Sequence, residues 1–204
     1  MRERLVLGTR GSKLALTQSQ QTADLITATT GVAVVLRVIT TKGDRIQDRS
    51  LAEMGGKGLF TAELESALRE GTIDLAVHSL KDLPTDDPPG LTLASVPARA
   101  DPRDVIVGPL LEELPAGSIL GTGSLRRQAQ AALLRPDLVI EGIRGNVDTR
   151  LRKLDEGRYH AIVLAAAGLA RLGIERADIH PLDVQVMVPA VGQGALAIQG
   201  RADD

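Results

Sequence analysis

The sequence predicts an α/β fold of two lobes with mixed, mainly parallel sheets and a hinge cleft between them, and three observations carry that expectation. Short β-branched runs alternate with longer amphipathic stretches, the pattern of strands joined by crossover helices. The prolines Pro84, Pro88, Pro89, Pro97 and Pro102 cluster at a passage between two halves. The length of 204 residues, 43% of them apolar, suits two lobes of about 100 residues each.

The elements follow in chain order. Residues 5–8 form an apolar strand, Thr9-Arg10-Gly11 a turn, and Ser12 the start of a helix over 12–29. A β-branched strand covers 32–40, and a helix over 61–69 follows a glycine-rich loop. Strands at 74–78 and 91–96 flank the first prolines, and a crossover near 98–104 leads to a strand at 104–107. Residues 118–121 and 138–142 are strands, each followed by a glycine turn and a helix, at 124–134 and 146–155. The apolar run at 161–167 is far short of the roughly 20 residues of a membrane helix, so it reads as a strand at 161–165 entering a helix at 166–172. Alternating valines predict a strand at 184–188. A second passage lies at 189–194, and the strand at 195–198 has no helix after it, so it returns to the first lobe. The expected lobes are residues 1–98 with 189–204, and residues 99–188, joined by two crossing segments.

Composition excludes several function classes. A net charge of −2 argues against a general nucleic-acid binder, and one Phe, one Tyr and no Trp leave no base-stacking platform. Zero cysteines exclude disulfides, thiolate metal sites and a thiol nucleophile. Three scattered histidines, His78, His160 and His180, give no metal spacing. The start Met1-Arg2-Glu3-Arg4 leads into only a short apolar stretch, so no signal peptide is expected and the chain reads as cytoplasmic, without membrane attachment. The basic residues are nineteen arginines against five lysines, and arginine is the side chain that grips carboxylates bidentately.

One arrangement occurs three times. Ser12 beside Arg10, Ser124 beside Arg126 and Arg127, and Asn146 beside Arg144 each place an N-cap side chain and arginine at a helix start after a strand. Free backbone N–H groups and the helix dipole favour anions there, so together they suggest a multi-point anion site; plain capping with surface arginines is the alternative. The loop Gly55-Gly56-Lys57-Gly58-Leu59-Phe60 lacks phosphate-loop spacing and suggests a lid carrying a cation, Lys57, and an aromatic shield, Phe60. His78-Ser79-Leu80-Lys81-Asp82-Leu83-Pro84 puts polar groups at a strand end, where Asp82 stabilises a cation or moves a proton and Lys81 adjusts its pKa or binds a substrate carboxylate. His78 reads as a base or, more simply, as a hydrogen-bonded core residue.

These segments, with Thr41-Lys42-Gly43-Asp44, Asp101-Pro102-Arg103-Asp104 and Pro189-Ala190-Val191-Gly192-Gln193-Gly194-Ala195, run in order over the whole chain, and they resemble the hydroxymethylbilane synthase (porphobilinogen deaminase) family. The resemblance implies lobes like those of type II periplasmic binding proteins. It implies tetrapyrrole biosynthesis: head-to-tail condensation of four porphobilinogen molecules, with ammonia released each time, on a dipyrromethane primer. By the same resemblance Asp82 is the catalytic carboxylate, and Arg10, Ser12, Lys81, Ser124, Arg126, Arg127, Arg144, Asn146, Arg150 and Gln193 bind substrate and primer. Porphobilinogen and linear polypyrrole acids are the expected ligands. Gly123 and Glu53 depart from the family pattern, which often has a hydroxyl residue and a lysine there.

The family holds its dipyrromethane through a cysteine of a third domain, and no cysteine stands in this sequence. The expectation is therefore a two-domain catalytic body, either a fragment of a longer enzyme or a natural two-domain form that holds its primer noncovalently or has lost the reaction; a monomer is expected, and a separate third domain is a candidate partner. The alternative is a non-catalytic hinged binding protein for acidic pyrroles or other small polycarboxylates.

Overall fold

The computed structural model describes residues 3–41 and 61–204. The chain divides into two compact units, Met1–Arg99 with Ala195–Asp204, and Ala100–Gly194. In chain order the elements are β1 (Arg4–Thr9), α1 (Lys13–Thr30), β2 (Ala33–Val38), α2 (Ala62–Arg69), β3 (Leu75–Ser79), a single 3-10 turn (Leu80–Asp82), β4 (Leu91–Ser95), β5 (Asp104–Val107), β6 (Ile119–Gly121), α3 (Leu125–Leu134), β7 (Val139–Glu141), α4 (Val147–Asp155), β8 (Ala161–Ala165), α5 (Ala166–Arg171), β9 (Ile179–Pro181) and β10 (Leu196–Arg201).

The first unit is a five-stranded sheet in the order β2-β1-β3-β10-β4. Ser12 starts α1 as expected, its Oγ accepting a hydrogen bond from the Ala15 N–H at 3.3 Å. Gly31, at φ 74°, ends the helix and donates its N–H to the Thr27 carbonyl. Side chains alternate across each strand, so β3 feeds two cores. Val77 packs with Leu7, Ala23 and Leu196 on the α1 side, and Ala76 packs with Leu64, Leu68, Ile73 and Leu91 on the α2 side. β10 runs antiparallel between β3 and β4.

The second unit repeats the plan in the order β7-β6-β8-β5-β9. Parallel β7, β6 and β8 are followed by antiparallel β5, as β2, β1 and β3 are followed by β10. All four residues of β5 are buried, and Ile106 and Val105 point into separate cores on its two sides. Among the described residues the strand pairings are evenly divided between parallel and antiparallel, because one antiparallel strand enters each sheet and pairs on both sides.

One expected strand is absent. Residues 184–188 form a turn, because the Asp183 backbone carbonyl accepts from the N–H groups of Val186 and Met187 while its side chain accepts from that of Gln185 at 2.8 Å. Met187 alone of the five is buried; the alternating valines face solvent. The strand forms earlier instead, with β9 antiparallel to β5.

Gly108 closes β5 at φ 114°, a conformation that L side chains rarely adopt, and a Cβ there would stand 2.8 Å from the His160 carbonyl oxygen. Gly108→Ala is expected to cost about 1–3 kcal/mol from strain. Equilibrium urea unfolding reads this, and an unchanged midpoint would contradict it. Among the described residues no helix is long and apolar enough to cross a membrane, and no group of three His, Cys, Asp or Glu could hold a metal ion.

Candidate active site

In the first unit the expected residues Lys81 and Asp82 lie just past the carboxyl end of β3. The chain leaves the strand through the turn Leu80–Asp82, pinned by the Leu80 N–H to the Ala195 carbonyl at 3.1 Å and the Leu83 N–H to the Leu80 carbonyl at 3.2 Å. Asp82 itself reaches solvent. Even so, the protein packed around it excludes enough bulk water to raise its carboxyl above the ordinary value, against the opposing pull of Lys81 and Arg10. His78 is buried, with Nε2 3.1 Å from Gln199 Oε1. Burial pushes its pKa down to about 4, the Gln199 bond opposing and Arg10 adding to the fall. It is neutral at neutral pH and serves as a hydrogen-bonded core residue, the simpler of the two sequence expectations. Ser79 Oγ accepts from Gln18 Nε2 of α1 at 3.4 Å.

In the second unit the expected residues collect around two helix starts. Ser124 and Asn146 occupy the cap positions of α3 and α4 with extended backbones, but neither side chain makes a capping bond. That corrects the expected capping. Before α3 it is the Thr122 hydroxyl that accepts a local N–H, from Ser124 at 3.3 Å. Arg144 precedes α4, and Arg150 turns back to donate Nε to the Gly145 carbonyl at 2.8 Å. Burial lowers the Arg150 pKa, and the positive charges of Arg127 and Arg144 lower it further. Among the described residues no carboxylate pairs with Arg144 or Arg150. The Arg127 and Arg144 charges thus act on Arg150 from close by, an arrangement that a ligand bearing several carboxylates would relieve.

Arg127 and Gln193 are placed differently. Arg127 is buried, donating from Nε and Nη2 to Asp104 Oδ1 at 3.1 and 2.7 Å and from Nη1 to the Val163 carbonyl at 3.0 Å. Gln193 Nε2 donates to the same carboxylate oxygen at 2.7 Å and to the Pro102 carbonyl at 2.7 Å. Arg126 lies 2.7 Å from Asp104 Oδ2 and also donates to the Val188 carbonyl. Burial alone would raise the Asp104 pKa, but its bonds and charges from Arg126, Arg127 and Gln193 win and hold it below the ordinary carboxylate value. Asp104 is the hub that sequence reading missed. The available signal was an acidic residue opening the wholly apolar run Val105-Ile106-Val107. Lys57 and Phe60 lie outside the described residues.

Residues 5–204 match the family described as porphobilinogen deaminase, dipyromethane cofactor binding domain. The chain is 54% identical to the porphobilinogen deaminase of Roseiflexus sp. (strain RS-1) over 208 residues, covering 100% of this chain and 69% of that protein. It is 54% identical to that of Desulforudis audaxviator (strain MP104C), covering 100% of this chain and 67% of that one. Among solved structures it is similar in fold to the methionine binding protein MetQ, with a TM-score of 0.57 at 13% identity over 98% of this chain and 84% of that one.

Proposed function

The chain belongs to the porphobilinogen deaminase family, and from that premise we propose that its two units carry out the head-to-tail condensation of porphobilinogen in tetrapyrrole biosynthesis, with Asp82 as the catalytic carboxylate. The observation that carries this reading is the environment of Asp82, an accessible carboxyl with a raised pKa at a strand end between cationic neighbours. Ammonia leaves the aminomethyl carbon of porphobilinogen with its bonding electrons, and the resulting positive charge spreads onto the pyrrole nitrogen. A carboxylate aimed at that nitrogen neutralises the charge where it forms.

The remaining residues hold the substrate. Each pyrrole carries an acetate and a propionate, which suit Arg10, Ser12 and Lys81 in the first unit and Ser124, Arg126, Arg144, Asn146 and Arg150 in the second. Arg127 and Gln193 act through Asp104, positioning the start of α3. The same cations suit the carboxylates of a dipyrromethane, whose free terminal pyrrole carbon takes the first unit and loses its proton as the carbon–carbon bond forms; each later unit adds in the same way to the ring added before it. This sequence offers no cysteine for a thioether. A thiol-bearing third domain supplies that attachment in this reading, which also has the reaction running in the cytoplasm in a monomer. The relatives are named for the enzyme, so the binding-protein alternative is not favoured.

Porphobilinogen consumption with one ammonia released per molecule tests the function, in the chain alone or joined to a thiol-bearing domain. Consumption without ammonia, or none in either form, would overturn it. Binding has its own expected result. Arg144→Gln should weaken a linear polypyrrole carboxylate by about tenfold or more, the worth of one hydrogen bond to a charged group. Affinity should also fall as salt rises. Calorimetric titration decides it, and equal affinities in the two proteins would count against the assignment.

A further inference from the structure

We propose that His78 and Gln199 are positioning residues for Asp82: their buried hydrogen bond, opposed across the sheet by Gln18 and Ser79, holds the catalytic turn in register. The inference rests on the catalytic reading of Asp82. His78 and Ser79 are the last two residues of β3, directly ahead of the turn Leu80–Asp82. Successive side chains leave a strand on opposite faces, so the two residues are held from opposite sides.

The register confirms those sides. Gln199 pairs across β10 and β3 with Ala76 and shares its face, as Ala197 shares that of His78. This is the α2 side, where Ala76 packs with Leu64 and Leu68. Ser79 pairs with Leu196 on the α1 side, where Gln18 reaches it. Gln18 and Gln199 are each at most 5% exposed, in surroundings that otherwise favour apolar side chains. A buried amide is retained at little cost only where its hydrogen bonds are made, and each of these two bonds a residue that leads into the turn.

The chemistry of the pair suits positioning rather than proton transfer. His78 is neutral and its Nε2 is occupied by Gln199. The backbone bond from Leu80 to Ala195 ties the start of the turn to the same region of the chain as Gln199. Together these bonds leave the turn little freedom to tilt. A displacement of about 1 Å at a reacting group is enough to cost on the order of 10²-fold in rate.

Gln199→Leu keeps the volume and removes the acceptor, whereas Gln199→Glu keeps an acceptor at the same reach. Porphobilinogen turnover should fall by about 10- to 100-fold in Gln199→Leu with KM nearly unchanged. Gln199→Glu should recover most of kcat. Thermal melting of both variants separates this from a loss of fold, since a purely structural residue would lower Tm and leave kcat per folded molecule intact. Wild-type kcat in Gln199→Leu, or an equal loss in both variants, would overturn the inference. The parent reading fails differently, through retained turnover in Asp82→Asn.

Discussion

Asp82→Asn is expected to lower porphobilinogen turnover by on the order of 10²-fold or more, while affinity for a linear polypyrrole product stays within about twofold. Asparagine keeps the shape and hydrogen-bonding reach but not the charge. The positive charge on the pyrrole nitrogen is larger in the transition state than in the bound substrate, so the lost interaction appears in kcat and hardly in binding. Stability should move the other way. A carboxyl whose folded pKa is raised binds its proton more readily in the native state than in the unfolded one. Its ionised form therefore burdens the fold above the raised pKa, and that burden is relieved as pH falls toward the unfolded value. The Asn variant should be no less stable than wild type at neutral pH. By the same shift, the acid limb of turnover should lie above the ordinary carboxylate range. Near-normal turnover, or a collapse in Tm that accounts for the loss, would return Asp82 to an exposed turn carboxylate.

The largest stability effect is expected at Asp104. Asp104→Ala strands the buried guanidinium of Arg127 and removes the acceptor of Gln193, and breaking a buried pair from one side costs about 3–5 kcal/mol. Replacing both partners with apolar residues, as in Asp104→Leu with Arg127→Met, should recover much of that, because no charge is then left unpaired. The pH dependence has the opposite sign to that of Asp82. The Asp104 pKa is lowered in the fold, so its contribution is complete above the unfolded carboxylate value and is lost as pH falls through the lower folded value. Chemical unfolding measured at neutral pH and again below the carboxylate range checks both statements. Equal stability of Asp104→Ala and wild type at neutral pH would refute the hub.

The sequence by itself determined the alternation of strands and helices, the glycine turns and the placing of Arg10, Arg126, Arg144 and Asp82 beside helix or turn starts. These depend on a few contiguous residues, so they can be read locally. The tertiary structure alone decided which charges meet. Arg126 and Arg127 are neighbours in sequence, yet Arg127 is buried against a carboxylate 23 positions away, a pairing that no local pattern encodes. It decided the caps too, since Ser12 bonds to its helix while Ser124 and Asn146, in the same local context, do not. At 184–188 the period-2 pattern of valines lost to the turn that Asp183 closes, because alternation specifies a strand only where a sheet edge is free to take it, and β9 holds that edge of β5. His78 shows the same division. Its identity was legible, but its neutrality came from burial and from Gln199, 121 residues further along the chain. Periodicity and capping act over one or two turns of chain, whereas burial and charge pairing are properties of the packed molecule.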